Sequence, residues 1–214
     1  MICAIIVDKS KKAGVCMFYL DETEENEKKT NEIPDIYRKK LLDQRTVLIY
    51  GEITQELAKD ITSQLLLLSA LSDDPITIYV NSPGGHVESG DTIHDVIKFI
   101  KPTVNMIGTG WVASAGITIF LAAEKEHRYS LPNTRYMIHQ PAGGVSGQTT
   151  EIQIEAKEII RMRKRINQLI ADATGQTVEK VEQDTDRNFW MSVDEAKDYG
   201  IVGKIIATSD EIGK

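Results

Sequence analysis

Residues 108–116 read Gly-Thr-Gly-Trp-Val-Ala-Ser-Ala-Gly and place one hydroxyl group among very small side chains. The small neighbours of Ser114 let another backbone approach its hydroxyl, and the apolar run that follows predicts a helix directly behind it. A helix N-terminus carries unpaired N–H groups and partial positive charge, so an oxygen that becomes anionic there is stabilised. Ser114 is therefore a candidate nucleophile. The alternative is that this small-residue patch only lets a helix pack closely on a strand.

A serine hydroxyl is a weak nucleophile until a base removes its proton, and that base must itself be held in position. The chain has four histidines. His139 stands at the carboxyl end of a predicted strand, directly before a Pro-Ala-Gly-Gly break, and is the best candidate base. Alternatively, His139 is a buried core histidine whose ring nitrogens are hydrogen-bonded. His94 and His127 are more simply interpreted as surface residues.

Residues 81–85 read Asn-Ser-Pro-Gly-Gly and are predicted to form a turn. Its glycines can adopt positive φ angles, and they let a substrate carbonyl come close to main-chain N–H groups. Paired with the amide that follows Ser114, this turn would form an oxyanion hole.

The elements that must position these groups alternate between strand and helix from residue 47 onward. Strands are predicted at 47–50, 76–80 and 103–107, and the helices between and after them at 54–71, 89–100 and behind Ser114. Strands separated by helices of this length indicate βαβ crossovers, hence an α/β fold with a largely parallel sheet. Residues just after the carboxyl ends of such strands face the binding crevice, where both the 81–85 turn and Ser114 fall.

The second half of the chain predicts a long helix flanked by shorter elements. The long helix should begin at a capping box of Thr150 and Gln153 and end before Gly175, with a stripe of apolar residues along one face. Its other, charged face is solvated by default, although it can also dock against a partner subunit. The remaining predictions are strands at 129–131, 135–139 and 201–206, helices at 178–184 and 192–199, and a frayed tail at 209–214.

Composition excludes several classes of function. The chain has 214 residues, is 41% hydrophobic and 27% charged, and carries a formal net charge of −7, which disfavours nucleic acid and anionic membranes as partners. It shows no apolar run of about 18 to 20 residues that could span a bilayer and no signal peptide, so we expect a cytoplasmic protein. Its two cysteines lack ligand-like spacing, so neither a disulfide framework nor a metal site is expected.

Several ordered motifs together closely resemble the proteolytic subunit of the Clp ATP-dependent protease. They are NSPGG at 81–85, GxxASAG at 110–116, MIHQPxGG at 137–144, TGQ at 174–176, and DTDR at 184–187 before FWMS at 189–192. The resemblance extends from about residue 36 to residue 206, which suggests a catalytic domain at 34–208. Residues 1–33 do not resemble the family's axial-pore segment; they are predicted to form a hairpin over 1–20 and a solvated linker over 21–31.

The resemblance implies a crotonase-like α/β subunit with a long protruding helix, assembled into two stacked seven-membered rings that enclose the active sites. It implies Ser114 as nucleophile, His139 as general base, and the backbone N–H groups of Gly85 and Ala115 as the oxyanion hole. It also implies unfolded polypeptides as substrates and an AAA+ unfoldase partner that spends the ATP. The chain itself has no P-loop, and no cofactor is expected.

The triad aspartate of the family is the main departure, since Asn188 stands at its position. An amide oxygen can still accept the hydrogen bond of the imidazole but carries no charge, so we expect a complete but weakened site. Alternatively, Asp184 or Asp186 substitutes for it, or Asp186 and Arg187 make the inter-ring ion pair that the resemblance suggests.

Three functions compete at this point. The leading hypothesis is a serine endopeptidase that works inside a closed chamber. The second is a catalytically impaired ring subunit with a structural or regulatory role, which co-assembles with an active paralogue. The third is a crotonase-fold acyl-CoA enzyme, which uses a similar oxyanion hole but does not need the pairing of Ser114 with His139.

Overall fold

The computed structural model describes residues 35–142 and 146–213. Residues 40–214 form one compact unit, and of residues 1–39 the description covers only the beginning of helix α1 (Asp35–Asp43). The hairpin predicted for residues 1–20 and the linker predicted for 21–31 lie outside the described residues.

Three consecutive strand–helix units build the first half of the fold. They are β1 (Thr46–Ile53) with α2 (Gln55–Leu71), β2 (Ile76–Gly85) with α3 (Val87–Phe99), and β3 (Val104–Ala113) with α4 (Ala115–Phe120). Helix α2 begins where the side chain of Thr54 accepts a hydrogen bond from the Leu57 N–H, a standard N-cap that satisfies one unpaired donor. The alternation predicted from the sequence is confirmed.

The second half of the described chain adds short strands around one long helix. The elements are β4 (Arg128–Ser130), β5 (Arg135–Ile138), α5 (Thr149–Thr174), α6 (Val178–Asp184), β6 (Phe189–Met191), α7 (Val193–Tyr199) and β7 (Lys204–Ile205). Two 3₁₀ turns at Lys125–His127 and Ser209–Glu211 complete the list. Thr208 and Glu211 form a capping box at the second turn.

Among the described strands, every pairing in the sheet is parallel except that of β5 with β6. Strands β1, β2, β3, β4 and β7 lie side by side in that order, and β5 pairs in parallel with β3 beyond the point where β4 ends. Strand β6 then pairs with β5 in the antiparallel direction. Helices α2, α3 and α4 pack against the sheet, and the interface between them is filled by fully buried side chains such as Ile49, Leu65, Ile78, Ile93 and Phe120.

Three local predictions are wrong. Residues 81–85 continue strand β2 with a register shift after Val80 rather than forming a separate turn, because their backbone still pairs with β1. Strand β3 likewise runs on to Ala113. The capping box of the long helix is formed by Gln148 and Glu151, two residues before the predicted pair, whereas Gly175 does terminate the helix at a φ of 79°.

The long helix α5 is buried along only part of its length. Its C-terminal half packs on the core through residues such as Ile166 and Ile170, whereas Ile152, Ile154 and Ile160 in its N-terminal half are 40% to 54% exposed. The apolar stripe predicted for this helix is thus covered in the compact unit only toward its C-terminal end.

Candidate active site

Ser114 lies at the junction between strand β3 and helix α4, and its backbone adopts φ 55° and ψ −123°. A positive φ is uncommon for a residue with a side chain and costs on the order of 1–3 kcal/mol, so surrounding contacts must hold it. One of these contacts is the hydrogen bond from the Ser114 N–H to the Met137 carbonyl, at 2.9 Å. The sharp turn presents the half-buried hydroxyl beyond the carboxyl end of the strand, as the sequence predicted.

His139 follows strand β5 directly, and strand β5 pairs with the end of β3. Its Nε2 atom lies 2.8 Å from the Oγ atom of Ser114, within the range of an O–H···N hydrogen bond. The structure therefore brings together the two side chains that the sequence singled out, across 25 residues of chain.

Asn188 lies on the other side of the same imidazole. The antiparallel register pairs Ile138 with Phe189, so the next residues outward, His139 and Asn188, face each other where the ladder ends. The Nδ1 atom of His139 lies 3.0 Å from Oδ1 of Asn188. The imidazole donates its Nδ1–H to the amide oxygen, which leaves Nε2 free to accept the hydroxyl proton of Ser114.

Neither nearby aspartate takes this position. Asp184 accepts hydrogen bonds from Lys180 and from the Tyr199 hydroxyl, both at 2.8 Å. Asp186 lies within 4 Å of the guanidinium groups of Arg163 and Arg187, and the Arg187 side chain is 86% exposed. The alternative in which either carboxylate replaces Asn188 finds no support in these contacts.

Gly84 of the NSPGG segment packs directly against Ser114. A Cβ atom built on Gly84 would lie 2.5 Å from Cβ of Ser114, so a larger residue would clash there. The backbone φ of Gly84, 97°, also favours glycine. Gly85 is exposed, and the next amide, that of His86, donates to the Ile53 carbonyl of the neighbouring strand β1.

A small apolar cleft opens beside the Ser114 hydroxyl. Its walls come from α3, α4, α5 and the chain around His139, and are formed by Val87, Ile117, Thr118, Ile138, Pro141 and Ile166. The cleft therefore places mainly apolar groups next to the hydroxyl.

Sequence reasoning missed the residue next to the base. The side chain of Gln140 donates to the Asp186 carbonyl at 2.7 Å, in the segment that leads to Asn188. The only sequence signal was its position directly after His139. The ring of His86 caps helix α3 by accepting a hydrogen bond from the Ser89 N–H.

Two classes of feature are absent from the described residues. No group of three or more His, Cys, Asp or Glu side chains in residues 35–142 and 146–213 is arranged to hold a metal ion. None of the helices in that part of the chain combines the length and apolar character needed to cross a bilayer.

Comparison with known proteins identifies the same family that the motifs suggested. The Clp protease family model matches residues 27–209. The chain is 55% identical to ATP-dependent Clp protease proteolytic subunit 3 of Rhizobium etli, over 88% of this chain and 98% of that protein. It is 54% identical to proteolytic subunit 2 of Pseudomonas aeruginosa, over 78% of this chain and 84% of that protein.

Solved structures agree with this assignment. ClpP1 from Listeria monocytogenes is 70% identical, superimposes with a TM-score of 0.75, and is matched over 82% of this chain and 99% of its own. An Asn-to-Asp mutant of that protein gives 71% identity and a TM-score of 0.76, over 81% of this chain and 98% of its own. The fold is therefore the crotonase-like fold of these proteases, including the long helix. The chain belongs to the Clp protease family and is one of its proteolytic subunits, a serine peptidase.

Proposed function

We propose that this subunit cleaves peptide bonds with Ser114 as nucleophile, His139 as general base and Asn188 as the group that orients the base. The observation that carries the proposal is the pair of hydrogen bonds on one imidazole, 2.8 Å to the serine hydroxyl and 3.0 Å to the amide oxygen. His139 takes the hydroxyl proton of Ser114 as Oγ of Ser114 attacks the scissile carbonyl. The same imidazole then protonates the leaving amine, and a water repeats the sequence to release the acyl group.

Backbone amides stabilise the tetrahedral intermediate in this proposal. The N–H groups of Gly85 and Ala115 converge on the oxygen that becomes negative, one from strand β2 and one from the residue after the nucleophile. The exposure of Gly85 and the direct packing of the preceding residue, Gly84, against Ser114 support this role. Donors held in place before the reaction lower the barrier because they need not reorganise as charge develops.

The amide at position 188 weakens the site in this proposal. It fixes the tautomer and orientation of His139 but cannot offset the positive charge that the imidazole gains in the transition state. In the serine-protease template, exchanging the acid for Asn lowers kcat by about 10⁴, although Cys-His-Asn enzymes work with an amide. The chain therefore hydrolyses peptides more slowly than it would with a carboxylate.

Assembly completes the proposal. The catalytic domain, residues 34–208, forms two stacked homo-oligomeric rings in the cytoplasm, which receive unfolded polypeptide from an AAA+ Clp unfoldase. The unfoldase consumes the ATP, and the proteolytic subunit needs neither cofactor nor metal. Exposed apolar residues on α2 and α5, namely Leu66, Leu67, Leu71, Ile154 and Ile160, support burial against other subunits. Asp186 and Arg187 are candidates for the contact between rings.

The substitution Asn188→Asp tests the role of this residue. Turnover of a small fluorogenic peptide should rise between about tenfold and 10⁴-fold, because a carboxylate would stabilise the imidazolium. Asn133→Asp, which adds the same charge at an exposed turn, is the matched control and should leave turnover unchanged. Equal rates for Asn188→Asp and the unmodified protein would refute the weakened-site proposal.

Labelling separates peptidase activity from the alternative of an impaired ring subunit. A fluorophosphonate should modify Ser114 of the purified protein, and the Ser114→Ala variant should remain unlabelled while eluting at the same size. An unlabelled protein that becomes part of an active particle only when mixed with a paralogous subunit would favour the structural or regulatory role instead.

A further inference from the structure

Gln140 joins the strand that carries the base to the segment that carries Asn188. It follows His139 directly, and its backbone N–H donates to the Thr185 carbonyl at 2.6 Å. Its side-chain Nε2 donates to the next carbonyl, that of Asp186, at 2.7 Å, and lies 3.4 Å from the Asp186 carboxylate. One residue thus holds two successive carbonyls of the chain between helix α6 and strand β6.

The position of Asn188 depends on this chain segment. Asn188 is exposed and precedes a strand of three residues, Phe189–Met191, that pairs only with β5 among the described strands. Strand pairing therefore constrains Asn188 only from its C-terminal side. On its N-terminal side, two residues earlier in the chain, the Gln140 side-chain amide donates to the Asp186 carbonyl.

The far end of the segment is anchored in the core. The Thr185 side chain is fully buried and donates to the Val181 carbonyl at 2.8 Å, while its hydroxyl also lies 3.0 Å from Oδ1 of Asn167 on helix α5. Gln140 connects this fixed point to His139, so the distance between His139 and Asn188 is set through Gln140 as well as through the β5–β6 ladder.

We propose that Gln140 is a positioning residue for the peptidase reaction: its side-chain amide holds the 185–188 segment so that the Asn188 oxygen meets Nδ1 of His139. The inference rests on the proposed roles of Ser114, His139 and Asn188. Gln140 acts through Asn188, so its removal cannot slow the reaction by this route more than the removal of the Asn188 side chain does.

Two isosteric substitutions test the idea. Gln140→Met removes the donor without adding charge, and Gln140→Glu places a carboxylate against the Asp186 carbonyl. Both should lower kcat for a small peptide by about tenfold, with KM changed less than twofold, because the lost hydrogen bond shifts the orienting group rather than the substrate cleft. Gln168→Glu is the matched control, since Gln168 donates to Asp172 on the exposed side of α5.

The decisive readout is a double-mutant cycle with Asn188→Ala. If Gln140 acts through Asn188, adding Gln140→Met to Asn188→Ala should change kcat less than twofold. An additive tenfold loss in that background, or no loss in the unmodified background, would overturn the inference. Size-exclusion profiles of each variant show whether assembly is lost. A loss of kcat caused by misorientation of Asn188 disappears in the Asn188→Ala background, whereas a loss caused by failed assembly persists there. Failure of the unmodified protein to react with a fluorophosphonate would instead refute the proposed function.

Discussion

The substitution Gly84→Ala should inactivate the site through a single methyl group. The added Cβ would lie 2.5 Å from Cβ of Ser114, 2.9 Å from the Ala113 carbonyl oxygen and 3.0 Å from Oγ of Ser114. Nonbonded carbon atoms pack at about 3.5 Å or more, so the two Cβ atoms must separate by about 1 Å. Neither neighbour is the flexible end of a long side chain, so the backbone must yield.

The displacement has a calculable effect on rate. Moving the nucleophile by about 1 Å from its position 2.8 Å from Nε2 of His139 breaks the hydrogen bond that activates it. A misplacement of about 1 Å in an active site costs about 10² in rate. The left-handed φ of 97° adds about 1–2 kcal/mol of backbone strain, which lowers stability as well.

Gly175→Ala separates strain from the clash. Gly175 has a similar φ of 79°, but a Cβ there would meet no atom within 4 Å. Both variants should lose stability in thermal unfolding, while only Gly84→Ala should lose about 10² or more in kcat for a fluorogenic peptide. Full peptidase activity in a folded Gly84→Ala protein would refute the close approach of these two segments.

Two further predictions concern stability. Ser114→Gly should unfold at a higher temperature than Ser114→Ala, by about 1 kcal/mol in free energy, because glycine accepts the φ of 55°; equal melting temperatures would argue against a strained nucleophile. Tyr199→Phe should cost about 1 kcal/mol by removing the hydrogen bond to Asp184. Burial raises the pKa of Tyr199, and the neighbouring Asp184 raises it further. The contribution of the Tyr199 hydroxyl to the free energy of unfolding is therefore complete below the ordinary tyrosine pKa of about 10 and is lost as the pH rises further. In urea unfolding, the stability difference between the unmodified protein and Tyr199→Phe should be smaller at pH 11 than at pH 7.

The alternation of apolar strands and amphipathic helices was sufficient to predict the sheet and its crossovers. Periodicity of side chains is a local property, and it determines strand or helix without knowledge of distant contacts. The same reasoning located Ser114 and His139 as residues beyond carboxyl ends of strands, because parallel sheets place all such ends at one edge.

Boundaries near the site were less predictable. The NSPGG segment has the composition of a turn, yet it extends strand β2 because its backbone groups pair with β1. Local composition reports only what a segment prefers alone, and the hydrogen bonds available from a neighbouring strand override that preference. The exposed half of helix α5 shows the same limit, since its apolar stripe does not reveal what covers it.

The sequence by itself determined which chemical groups are present: a hydroxyl among small residues, an imidazole after a strand, glycines for close approach, and an amide where the resemblance to the family implies a carboxylate. Only the tertiary structure decided that Asn188 meets His139. That contact depends on strand β6, which is too short to show a period, and Asn188 lies 49 residues from the imidazole along the chain. Its antiparallel register and the Gln140 contacts arise from pairing between distant segments, and such pairing leaves no trace in the local pattern.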